Sequence, residues 1–84
     1  MKNNDFRVYI VYAHLGKENG WAILGAKNSK DARTVAYNGW LEDATIDDVV
    51  PIERSMYKAS IDKLKSNKKY PKKHGEYFEL EWGS

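Results

Sequence analysis

The chain has 84 residues, 42% of them apolar and 31% charged, with no cysteine and a formal charge of +2. At about 100–200 residues per typical domain this is a single small domain, and without cysteine it has no disulfide framework, thiolate zinc site or cysteine nucleophile. The longest uncharged apolar run, Val8 to Ala13, is strand-sized and far short of the roughly 20 residues of a membrane span.

Phe6 to Ala13 is rich in β-branched and aromatic residues and, Arg7 apart, is apolar on both alternating faces, the pattern of an interior strand. His14 to Gly20 holds two glycines and an asparagine and predicts an open hairpin loop. Trp21 to Ala26 resumes an apolar strand, in which Gly25 marks either a bulge or a close approach of another backbone. A helix follows from Ser29 to about Leu41. Ser29 or Asn28 caps it, Asp31 suits the positive end of its dipole, and Ala32, Val35, Ala36 and Trp40 recur at helical spacing. Gly39 weakens its last turn by about 1 kcal/mol relative to alanine.

Asp43 to Asp48 reads as a polar connection with one turn capped by Thr45, and Val49 to Arg54 as a short strand. Pro51 lacks an amide proton and belongs on an edge or at a bulge. Ser55 caps a second, thinly apolar helix with Tyr57, Ile61 and Leu64 on one face. Residues 66–75 form a lysine-rich loop or mobile arm interrupted by Pro71. Glu76 to Trp82 alternates, with Phe78, Leu80 and Trp82 inward. The expected fold is a single α+β domain over residues 1–84, ordered β-β-α-β-(α)-β, with one mainly antiparallel sheet of about four strands and the main helix across one face.

The modest net charge conceals a segregation. Residues 1–57 are close to neutral. Residues 58–74 carry seven lysines against Asp62 alone, and residues 75–84 return three glutamates. Such clustering creates a local positive field. Lys63, Lys65, Lys68, Lys69, Lys72 and Lys73, with Tyr70 among them, form a candidate nucleic-acid surface: lysines attract phosphates and a tyrosine ring can stack on a base. The segment lacks arginine, the residue best suited to bidentate phosphate and guanine contacts. The alternative is a solvated face that keeps a small domain soluble.

The acids Glu42, Asp43, Asp47, Asp48 and Glu53 fall within twelve residues. They lack the offsets of a calcium loop, and Ser55 stands where a nuclease-like Glu-x-Lys pair needs its lysine. Of the eleven aromatics, Trp21, Trp40, Phe78 and Trp82 are expected in the core. Tyr9 and Tyr77 are expected to share an uncovered sheet face and form an aromatic platform. His14 has Glu18 or Tyr12 as conceivable partners in a minimal hydrolase, but no catalytic or cofactor motif accompanies it or His74.

The expectation is a non-enzymatic protein without cofactor or metal. It would act in the cytoplasm, since Met1 to Asp5 lacks a signal-peptide h-region. It would bind a protein partner through Glu42, Asp43, Asp47, Asp48, Tyr9 and Tyr77, as a phage-type inhibitor or modulator of a nucleic-acid machine would. The second expectation is direct nucleic-acid binding by residues 58–74. No membrane partner is expected, and a homodimer across a sheet edge would cover apolar surface.

Overall fold

A computed structural model describes residues 6–39 and 44–83, with side chains described for all of these but 39 and 80–83. Strands β1 (Arg7–Leu15), β2 (Glu18–Ala26), β3 (Thr45–Pro51) and β4 (Tyr77–Gly83) form one antiparallel sheet in the order β3-β1-β2-β4. Helix α1 (Ser29–Gly39) follows β2. Two short 3-10 turns, Ile52–Arg54 and Lys58–Ser60, lead into helix α2 (Ile61–Ser66). The fold is therefore a small α+β domain with a four-stranded antiparallel sheet.

The first hairpin is tighter than its loop composition suggests. Leu15 pairs with Glu18 across a two-residue turn, and Gly16 has φ +63° at the first central position. That is the type II′ pattern, whose twist matches the flanking strands and which favours glycine there. Helix α1 is capped by Asn28, whose Oδ1 accepts the Asp31 N–H at 2.8 Å; Ser29 is already its first residue. Asp31 reaches back to accept the Lys27 N–H at 2.9 Å, so two donors at the helix start are satisfied reciprocally.

Both faces of the sheet are covered. On one, Tyr9, Val11, Ala13, Leu24, Ala26 and Ile46 pack with Ala32 and Ala36 of α1. Alanines at i and i+4 keep the helix close to the strands. On the other, Val8, Ile10 and Ile23 pack with Ile52, and Trp21, Tyr57, Ile61, Leu64, Tyr70 and Phe78 close around them. The segment from Ile52 to Pro71 is thus a second covering layer, which explains why β1 is apolar on both faces. Tyr9 and Tyr77 do share a face, since both pair in register with Leu24, but it is the face beneath α1. Tyr9 is only 4% exposed, so the expected open platform does not exist there.

The third strand begins at Thr45, four residues before the expected start, and Thr45 opens a strand instead of capping a turn. Both edge strands are irregular. Tyr12 pairs with Asp48 while Ala13 pairs with Ile46, leaving Asp47 as an extra residue on β3; residue 80 is the extra one on β4. Pro51 lies on edge strand β3, as a residue without an amide proton requires. Bulges, charges and proline on edges discourage pairing with another sheet. Among the described residues, no helix is long and apolar enough to cross a membrane.

Candidate functional site

The lysine-bearing layer is built by a short apolar pattern. Helix α2 has six residues, too few to persist alone, and Ile61 and Leu64 anchor it one turn apart to the sheet. Its C-terminus closes in a Schellman motif: the Lys69 N–H reaches the Leu64 carbonyl at 2.8 Å, and the Lys68 N–H the Lys65 carbonyl at 3.1 Å. Lys68 occupies the left-handed position of that motif with φ 59°, where glycine is the usual residue. Upstream, the Ser55 hydroxyl donates to the Ile52 carbonyl at 2.9 Å and accepts the Tyr57 N–H at 3.0 Å, fixing the turn that presents Tyr57.

Downstream, the expected arm is tied to the sheet. The Gly75 N–H reaches the Gly25 carbonyl at 2.9 Å, and the Gly25 N–H reaches the Glu76 carbonyl at 3.0 Å. Gly25 marks a close backbone approach: a Cβ there would lie 2.7 Å from the Lys73 carbonyl oxygen and 3.0 Å from Phe6 Cδ2. Glu76 Oε1 accepts the Lys72 N–H at 2.6 Å. Imidazole Nε2 of His74 lies 2.6 Å from Asp31 Oδ2, joining this loop to the start of α1. The Lys27 N–H, then the His74 hydrogen bond, hold the Asp31 carboxyl below its ordinary value of 3.8. Pro71 is fully buried.

Ile52, Tyr57, Ile61, Leu64 and Tyr70 of the layer pack toward the sheet, whereas Met56 is 78% exposed and the lysines lie on the outside with it. Lys58, Lys63, Lys65, Lys68, Lys69, Lys72 and Lys73 are exposed. Among the described residues both ion pairs join histidine to aspartate, and no lysine takes part in one. Tyr70 departs from its expected role as a stacking platform. Its ring packs into the layer with Lys65 Nζ 5.0 Å from its centroid, and burial, followed by the nearby Glu53 charge, raises its phenol pKa.

The aromatic surface next to the lysines comes from another pair. Trp21 stacks on Tyr57 with ring centroids 3.9 Å apart and planes at 26°. Together with Leu64 they line an open groove of about 260 Å³, shared with Lys63, Lys69 and Asn67. Trp21, expected in the core as a large aromatic in an apolar strand, is only half-buried. The signal that it sits at the margin is the thin apolar stripe of the helix covering it, where Leu64 is followed by Lys65 and Lys68 at positions a core helix would fill.

The expected acidic interface is described only in part. Glu42 and Asp43 lie outside the described residues. Asp47, pushed out by the β3 bulge, meets His14 with its carboxylate oxygens 2.8 and 3.0 Å from Nδ1, so the partner of His14 is neither Glu18 nor Tyr12. Asp48 Oδ1 accepts the Val49 N–H at 2.9 Å. The phenol pKa of Tyr12 is raised, chiefly by burial and secondarily by the Asp48 charge. Tyr77, 36% exposed, lines a separate shallow groove of about 300 Å³ with Val35, Asn38 and Gly75. A carboxylate-oriented imidazole can serve as a base when a nucleophile is bonded to its other nitrogen. Among the described residues none is bonded to Nε2 of His14. No protein-family model matches this chain, and no curated protein or solved structure matches it.

Proposed function

We propose that this domain binds nucleic acid through the outer side of the layer that carries Lys58 to Lys73. The observation that supports this is the run of seven exposed lysines, none in an ion pair among the described residues: five on the layer that Tyr57, Ile61, Leu64 and Tyr70 pack against the sheet, and Lys72 and Lys73 on the loop that follows buried Pro71. Lysines without a carboxylate partner in the fold are available to an external polyanion, and a phosphate backbone adds counterion release on binding. The Schellman motif and the Gly25 bonds fix the backbone beneath them, which lowers the ordering cost on binding.

The competing reading is a protein interface. Of its described residues, Asp47 already faces His14, Asp48 accepts the adjacent Val49 N–H, and Tyr77 lies across the sheet beside α1. The test compares a labelled oligonucleotide with polyglutamate of equal charge, using the unmodified chain and a Lys68/Lys69/Lys72/Lys73→Ala variant. Oligonucleotide binding that exceeds polyglutamate binding and collapses in the variant supports the proposal. Equal binding of the two polymers points to an acidic protein surface and overturns it, as does an unaffected variant.

A further inference from the structure

Resting on that proposal, we infer that the groove beside Trp21 and Tyr57 accepts an unpaired base, so the ligand is single-stranded. Three features converge there. The first is aromatic surface at the edge of a lysine layer: a Trp21–Tyr57 stack held at 3.9 Å, presented by a strand on one side and a hydrogen-bonded turn on the other. Stacking on such surfaces is available to every base and needs no hydrogen-bond readout.

The second is charge complementarity. Lys63 and Lys69 line the same groove, so a polymer with a ring inserted beside Leu64 has ammonium groups within reach of its flanking phosphates. Asn67 adds an amide able both to donate to and accept from a base edge. The third is size. Drug-sized ligands occupy pockets of about 300–1,000 Å³, and about 260 Å³ of open groove suits one planar ring system with its sugar outside. A duplex keeps its bases stacked on one another and presents only phosphates and base edges, so no ring face is free to enter the groove.

The decisive experiment uses the unmodified chain. Its affinity is measured for a single strand, for a duplex of the same length, and for a chain of abasic deoxyribose phosphates with the same charge. The expected order is single strand tightest, with the abasic polymer roughly 5- to 150-fold weaker for each base accommodated. A Trp21→Leu variant, shown by circular dichroism to be folded at the assay temperature, loses the preference for the single strand while its salt dependence stays the same. Equal affinity for all three polymers overturns the groove assignment but leaves nucleic-acid binding by the lysines standing. Absence of binding to any of them removes both.

Discussion

Replacing Lys68 by glycine separates stability from binding at one position. Its φ of 59° places a β-carbon where L-residues meet the following carbonyl, at a cost of roughly 1–2 kcal/mol. Glycine removes that cost and returns roughly 0.5–1 kcal/mol through the greater freedom of the unfolded chain. The net expectation is a gain of about 0.5–1 kcal/mol, since the Lys68 and Lys69 backbone bonds that close α2 are retained and the lysine side chain is exposed. For a domain of this size that raises Tm by about 2–8 °C, measured by circular dichroism. Affinity for a single-stranded oligonucleotide should move the other way, with the log–log salt slope shallower by about 0.7 for one lost phosphate contact. Lys68→Ala supplies the control, losing the same slope without the gain in Tm. A lower Tm for Lys68→Gly would refute the strained-cap argument. A higher Tm with an unchanged slope would show that Lys68 does not touch phosphate.

Three other outcomes follow from the same geometry. Gly25→Ala drives a methyl to 2.7 Å from the Lys73 carbonyl oxygen, a backbone atom beside two tying hydrogen bonds. Urea unfolding should report a loss of about 2–4 kcal/mol from overpacking and displaced bonds, and an unchanged midpoint would show that the loop can move aside freely. Asn28→Ala removes the side-chain acceptor for the Asp31 N–H and should cost about 1 kcal/mol by the same assay, whereas Ser29→Ala should be nearly neutral; the reverse ranking would reassign the cap. The Asp31 carboxyl has a folded pKa below its unfolded one, so its contribution is complete above about pH 4 and is lost as pH falls through the folded value. Carboxyl NMR titration should give Asp31 a midpoint below 3.8; one at or above it contradicts the hydrogen-bonded arrangement with Lys27 and His74.

Local signals led to the right elements wherever a single period governed them. Phe6 to Ala13 reads as a strand covered on one face and partly on the other, and both faces are covered; of the bulge or close approach that Gly25 signals, the structure has the close approach, made by the Lys73 carbonyl. What the periods could not carry was where one extra residue interrupts them. Ile46 and Val49 both pack toward α1 although three positions apart, which is incompatible with strict alternation and signals a bulge between them. That bulge puts the start of the third strand at Thr45 and brings Asp47 to His14. The assignment of Tyr9 to an open face failed for a different reason. Alternation tells which residues share a face, but the choice of face for the helix depends on the handed connection from β2 through α1 to β3, which crosses β1.

The lysine surface was legible as composition, and its aromatic companion was not. Tyr70 stands within the run, yet its ring packs with the cluster around Ile10 and Ile23 instead of standing free among the lysines. Trp21 is brought to Lys63 and Lys69 only by folding, across more than forty residues of chain.

Binding through one charged surface is tested most directly by a salt titration. Fluorescence anisotropy of a labelled single-stranded oligonucleotide would be followed against the unmodified chain from about 50 to 200 mM salt. The account predicts that log affinity falls linearly with log salt, and that Lys68/Lys69/Lys72/Lys73→Ala flattens the line by nearly 3, at about 0.7 per lysine. No binding at the lowest salt, or binding indifferent to salt, would contradict it.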